Sequence, residues 1–100
     1  MVATLRPREW REAGSWLRAQ RQANEITMSE LAEQIGAPSA AWIEAIEAGE
    51  CAVPSRFYRG YARSFGMDVS AFAADCIGRY DPDAYEALFG RRSTGLRRAA

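Results

Sequence analysis

The sequence predicts a single all-α domain, and three observations support that class. Apolar residues recur at helical spacing through most of the chain, so that each segment has one apolar face. No long period-two alternation and no Asn-Gly or Asp-Gly pair indicates a strand or a hairpin. Residue types that begin or end helices punctuate the segments, namely Thr27 with Glu30, Gly36, Gly49 and Gly66. One hundred residues of 48% apolar composition suit one core.

The first helix is predicted over about residues 8 to 23. Trp10, Ala13 and Leu17 fall on one face of it, so we expect that face to pack inward. Gly14 interrupts the middle of this helix and is expected to weaken it, because glycine has a low helix propensity.

Residues 27 to 49 predict two short helices hinged on a glycine, which is the outline of a helix-turn-helix. The Thr-x-x-Glu sequence at its start is a capping box that begins the second helix. Gly36 ends that helix, since a left-handed residue is tolerated best without a β-carbon. Pro38 suits the first turn of the third helix, and Ser39 can cap it.

Two further helices are predicted after this motif. Pro54 is expected to begin the fourth, which ends at Gly66, and Asp68 or Ser70 is expected to cap the fifth. The residues of these helices that are predicted to point inward are Phe57, Tyr61, Ala62, Phe65, Phe72, Ala73, Cys76 and Ile77.

The C-terminal part of the chain predicts a short sixth helix or turn containing Tyr85, Leu88 and Phe89. Two alternatives stay open for these three residues: they cover the core, or they form the seam of a homodimer. Residues 91–100 are polar, hold four Arg and lack a cap, so they are predicted to be a flexible basic tail beyond a domain of residues 1–90.

The formal charge of zero is unevenly distributed. Residues 25–50 hold six Glu and no basic residue, whereas residues 51–63 hold three Arg and no acid. The helix-turn-helix segment is therefore acidic, with arginine in the elements around it. Every basic residue is Arg, a type that favours bidentate contact with phosphate.

No constellation that supports catalysis is visible, and no enzyme activity or cofactor is expected. The chain has no His, and Cys51 and Cys76 lack CxxC spacing, so neither a metal site nor a disulfide is predicted; Cys76 is expected to fill core space. Glu44 and Glu47 are one helical turn apart, on what is expected to be a solvated face. No signal peptide or membrane-spanning stretch is recognisable, so the cytoplasm is the expected compartment.

Three stretches outside the helix-turn-helix also form a recognisable pattern. They are Leu17-Arg18-x-x-Arg21, Ile46-Glu47-Ala48-Gly49, and a Pro54-Ser55 start followed by Tyr61-Ala62 and Phe65-Gly66. With these motifs, the chain from about residue 13 to residue 78 resembles the DNA-binding domain of the Cro/cI-like (XRE) family. The resemblance implies a compact five-helix lambda-repressor-like domain, here with a possible short sixth helix, that binds double-stranded DNA.

In that family the start of the third helix enters the major groove, where side chains can read bases. The groove-facing positions here hold two alanines, and one extra residue, Ala37 or Pro38, precedes the helix, so base readout is expected to be weak. Alanines could touch thymine methyls, and Glu44 could accept from a cytosine amino group. The DNA-binding residues that the resemblance implies are Thr27, Met28, Ser39, Ala40, Ala41, Glu44, Ser55, Arg56 and Arg59.

Two further expectations concern the third helix. The resemblance implies a structural ion pair between Arg21 and Glu47. Trp42 and Ile43 are separated by about 100° of helical arc, so one of them must be partly exposed. Three alternatives stay open for Trp42: it belongs to the core, or it is exposed and packs on DNA sugars, or it is exposed and forms a contact for a protein partner.

The leading hypothesis is a DNA-binding transcription regulator, or one DNA-binding module of a larger regulator, with its third helix in the major groove and flanking Arg on phosphates. Two alternatives remain: a protein-interaction domain that keeps the helix-turn-helix shape, and an antitoxin or phage-type control protein.

Overall fold

A computed structural model of the chain describes residues 8–90, and within that range the chain forms six α-helices and no strand. The predicted all-α class is therefore confirmed. The predicted tail at residues 91–100 lies outside the described residues. The helices are α1 (Arg8–Ala23), α2 (Met28–Ile35), α3 (Ala40–Glu47), α4 (Tyr58–Ser64), α5 (Val69–Tyr80) and α6 (Pro82–Phe89).

The capping box predicted at the start of α2 is present. The Thr27 hydroxyl accepts from the Glu30 amide at 3.0 Å, and the Glu30 carboxylate accepts from the Thr27 amide at 2.9 Å. Gly36 follows α2 with φ of 75°, the left-handed conformation that was expected to end it. Both ends of α2 are thus determined by local sequence.

The predicted Ser39 cap of α3 is confirmed, whereas the helix positions predicted for Pro38 and Pro54 are wrong. Ser39 is the extended N-cap of α3, and its hydroxyl accepts from the Trp42 amide at 3.2 Å, so Pro38 precedes the cap instead of lying in the first turn. Pro54 does not begin α4. Its carbonyl accepts from the Phe57 amide at 2.9 Å, which closes a 3-10 turn at Ser55–Phe57 before α4 starts at Tyr58.

The core lies where α1, α3, α4 and α5 meet. The Tyr61 ring of α4 stacks on the Phe72 ring of α5, with centroids 5.7 Å apart, and Trp16 of α1 stacks on Phe72 at 5.6 Å. Helix α2 closes the core by packing on α3 and α4. The largest fully buried side chains are those of Tyr61, Phe72, Leu17, Leu31, Ile43, Ile46 and Cys76.

Gly14 allows close packing between α1 and α3, in addition to lowering the helix propensity of α1. A β-carbon at this position would lie 2.3 Å from the Glu47 carbonyl oxygen and 2.7 Å from its carbonyl carbon. The backbone of α1 therefore approaches the C-terminal end of α3 more closely than any other residue type would allow. The sequence-based interpretation of Gly14 as a weak point missed this contact.

Helix α6 packs on α5 through Tyr85, whose ring lies against Gly78. Leu88 and Phe89 are instead 64% and 57% exposed, so the alternative in which they cover the core is wrong for these two residues. The surface of α1 and α5 beside Tyr85 is lined largely by charged groups, namely Glu9, Glu12, Asp75 and Arg79, and offers these apolar side chains little to pack against.

None of the helices within residues 8–90 has the length and apolar character that crossing a bilayer requires.

Replacing Gly14 with Ala is expected to lower the free energy of unfolding by about 2 kcal/mol, because the new methyl group collides with the Glu47 backbone. Urea unfolding of the variant and of Ser15→Ala, at the exposed neighbouring position, measures the effect. The Ser15 control should change stability by less than about 0.5 kcal/mol. A Gly14→Ala protein more stable than wild type, as helix propensity alone would give, contradicts the close packing.

Candidate nucleic-acid interface

The N-terminal end of α3 is at the surface and has no acidic residue in its first turn. Ser39 and Ala41 are exposed, Ala40 is half-buried, and Glu44 lies exposed one turn further along. The first amides of a helix have no acceptor within the helix, and its N-terminal end carries a partial positive charge. This end of α3 is therefore a suitable place for a phosphate group.

Trp42 connects α3 to the 3-10 turn. Its ring is half-buried and packs on Phe57, with centroids 4.8 Å apart and the planes tilted by 54°. Ile43 beside it is fully buried, as the helical arc between the two residues required. Trp42 packs against the core, which was one of its sequence-based alternatives, although the contact with Phe57 itself was not predicted.

Arg56 is positioned by the same aromatic contact. Its guanidinium carbon lies 4.8 Å from the centroid of Phe57, in a cation–π arrangement, and the side chain is exposed. The Trp42 and Phe57 rings thus link Arg56 to the first turn of α3. Neither the period of the apolar residues nor the family resemblance predicted this linkage.

Arg56 begins a row of three exposed arginines, the basic strip, which continues along α4 with Arg59 and Arg63. Arg56 lies in the 3-10 turn, and the spacing of four residues places Arg59 and Arg63 on one face of α4. Gly60, between the last two, allows α4 to approach α2: a β-carbon there would lie 3.0 Å from the Ile35 β-carbon. Arg63 was missed by sequence reasoning, although its spacing from Arg59 could have indicated it.

The remaining predicted DNA contacts lie at the starts of α2 and of the 3-10 turn. Thr27 and Ser55 are exposed, whereas Met28 is half-buried and packs against the core. The hydroxyls of Thr27 and Ser39 accept from helix amides, which leaves the hydrogen of each hydroxyl for donation to another acceptor.

Arg21 and Glu47 form the predicted ion pair between α1 and α3. Arg21 Nε lies 2.7 Å from Glu47 Oε2, and Nη2 lies 3.2 Å from Oε1, so the pairing is bidentate. Arg21 Nη1 also donates to the Ile26 carbonyl at 2.8 Å, and this hydrogen bond stabilises the turn between α1 and α2. The side chains are only 10% and 3% exposed.

Glu47 is consequently not on a solvated face. The expectation that it shares such a face with Glu44 is wrong for Glu47, because its carboxylate points toward α1 while Glu44 points to solvent. The six glutamates of residues 25–50 thus include one whose charge is neutralised inside the protein.

Cys76 is fully buried, as predicted for a core residue. Burial, together with a smaller contribution from the nearby Asp75 carboxylate, raises the pKa of its thiol to about 12. The thiol is therefore protonated at neutral pH and is a poor nucleophile. Burial also raises the pKa of Tyr61 and of Tyr80, so both phenols stay neutral.

No family model, no curated protein and no solved structure matches this chain. Its function is therefore inferred from the fold and from the chemistry of its surface.

Replacing Arg21 with Met is expected to lower the free energy of unfolding by about 3 kcal/mol, because the Glu47 carboxylate would be left buried without its partner. Thermal and urea unfolding should show a similar loss for Glu47→Met. The double variant should lose clearly less stability than the sum of the two single variants, since neither charge is then left buried without its partner. Arg18→Met, at an exposed position of α1, is the matched control. Strictly additive losses would contradict a buried, coupled pair.

Proposed function

We propose that this chain is a DNA-binding regulator of the Cro/cI-like (XRE) type, which places the N-terminal end of α3 in the major groove of duplex DNA. The observation that carries the proposal is the acid-free first turn of α3, which exposes Ser39 and Ala41 and is held beside Arg56 through Trp42 and Phe57. This arrangement places a surface that can enter the major groove next to a cation that can contact the phosphates bordering the groove.

Phosphate contacts supply most of the affinity in this proposal. Arg56 and Arg59 contact one strand, and the hydroxyls of Thr27, Ser39 and Ser55 donate to phosphate oxygens. Arg56 is well suited to this role because its stacking on Phe57 limits the conformations that it must give up on binding.

Base recognition is modest in this proposal. Ala40 and Ala41 have no hydrogen-bonding side chains, and their methyl groups can contact only thymine methyls. Glu44, exposed one turn further along, can accept from a cytosine amino group. Sequence preference then depends largely on DNA shape and on help from a second module or a second copy.

The acidic charge around the motif restricts where DNA can lie. Glu33 and Glu44 are exposed on α2 and α3 and repel phosphate, whereas the neutralised Glu47 does not. Binding by the basic strip against this background is expected to weaken steeply as salt concentration rises. In this proposal the protein acts in the cytoplasm, on the chromosome of a bacterium or on phage DNA.

One alternative has specific support. The net acidity of residues 25–50 and the exposed Leu88 and Phe89 favour a protein-interaction domain whose partner is basic or apolar. An antitoxin or a phage-type control protein would use the same DNA-binding surface.

Arg56→Ala is expected to weaken binding to a random duplex of about 30 base pairs by roughly tenfold at low salt, because one phosphate contact is lost. Fluorescence anisotropy at about 50 and 200 mM salt measures both the affinity and its salt slope, which should fall by about one. Ser39→Ala should weaken binding less, because the hydroxyl is uncharged.

Arg79→Ala is the charge-matched control, since Arg79 lies on α5 with its guanidinium over Trp16 and not on the proposed interface. It should bind DNA like the wild type. Absence of binding by the wild type at the lowest salt, or equal losses in the Arg56 and Arg79 variants, would favour the protein-interaction alternative.

A further inference from the structure

Leu88 and Phe89 form an apolar edge on α6. They are 64% and 57% exposed, and they are the exposed large apolar side chains of residues 8–90. The Phe89 ring packs on the ring of Tyr85, with centroids 4.7 Å apart and the planes tilted by 48°. The apolar surface of the described part of the chain is therefore concentrated at one place, which is typical of an interaction site.

A cavity of about 260 Å³, the acidic cavity, lies between α1, α5 and α6. Its charged lining residues are Glu9, Glu12, Asp75 and Arg79. Within residues 8–90, none of the three carboxylates forms an ion pair. The guanidinium of Arg79 lies over the Trp16 ring, 4.3 Å from its centroid. The lining thus carries an excess of negative charge, which attracts a cationic group.

Tyr85 joins the acidic cavity to the apolar edge. Its ring lines the cavity, lies against Gly78 and also packs on Phe89. A chain segment that runs along α6 therefore contacts both. The cavity is smaller than the roughly 300 to 1,000 Å³ that is usual for drug-sized ligands, so it suits one long side chain.

We propose that the acidic cavity and the apolar edge of α6 together bind a basic and apolar segment of another protein. The cavity takes an Arg or Lys side chain of that segment, and a neighbouring apolar side chain packs on Leu88 and Phe89. This site uses none of the residues assigned to DNA contact, so it goes beyond the proposed function and does not depend on it.

Charge determines which partner fits. The carboxylates of the cavity repel nucleic acid and anionic bilayers and attract a basic peptide. A second copy of the chain is a poor partner, because α6 contains Asp83 and Glu86 and no basic residue, and these acids would repel one another across paired α6 helices. Exposed arginines of the described residues, such as Arg56, have no exposed large apolar side chain beside them.

An NMR titration of the isotope-labelled full chain without DNA tests the proposal. The probe is an acetylated and amidated hexapeptide of alternating leucine and arginine. The largest changes in amide chemical shift are expected at Glu12, Gly78 and Leu88, with a Kd of roughly 0.1 to 1 mM because the contact area is small. The same peptide with glutamate in place of arginine, or with serine in place of leucine, should bind at least about fivefold more weakly.

Protein variants separate the two halves of the site. Leu88→Ser/Phe89→Ser should weaken binding about fivefold by removing the apolar contact, and Glu12→Gln should weaken it about threefold by removing one charge. Glu33→Gln, at an exposed position of α2, is the matched control and should bind like the wild type. Circular dichroism checks that each variant keeps its helices.

No detectable binding at about 5 mM peptide overturns the proposal, as do equal losses in the Glu12 and Glu33 variants. Two further results would assign the site to a different occupant and would also overturn it. One is binding at least about tenfold tighter when the four arginines of residues 91–100 are replaced by serine in the full chain. The other is a dimer in sedimentation velocity that Leu88→Ser/Phe89→Ser abolishes.

Discussion

The contact between α1 and the C-terminal end of α3 is the constraint on which the rest of the structure depends. Two contacts with α1 fix the position of Glu47. Its carbonyl oxygen lies 2.3 Å from where a β-carbon of Gly14 would be, and its carboxylate pairs with Arg21. Arg21 extends the contact to the Ile26 carbonyl and so to the turn before α2. One residue thus fixes the spacing and the orientation of α3, and a buried charge pair of this kind tolerates little displacement.

Fixing one end of α3 leaves the other end free for function. The helix is eight residues long, so its first residue, Ala40, lies about 10 Å along the helix from the anchored Glu47, at the end that reaches the surface. There, Trp42 joins the helix to the 3-10 turn and thereby to Arg56. The proposed interface is consequently preorganised by packing, which matters for a surface whose base-reading side chains are few. In the proposed complex, affinity for DNA would come mainly from well-placed cations, against the acidic charge of the motif itself.

Features that depend on neighbouring residues were predictable from the sequence. The bounds of α1, the capping box at Thr27 and the left-handed Gly36 follow from local patterns, and the family resemblance added the Arg21 and Glu47 pair. Features that depend on distances between remote helices were not. The reason for Gly14 lies in α3, more than 30 residues away, and the partner of Trp42 lies beyond a loop. The exposure of Leu88 and Phe89 depends on the polar surface of α1 and α5. The spacing of apolar residues within α6 gives no information about that surface.

The most direct measurement is a backbone-amide NMR titration of the full chain with duplex DNA at low salt. The account predicts that the largest chemical-shift changes occur at Ala40, Ala41 and Arg56, with amides of α6 little affected. Changes confined to α6 or to the acidic cavity, with the first turn of α3 unmoved, would contradict the assignment of this end of α3 as the DNA-binding surface.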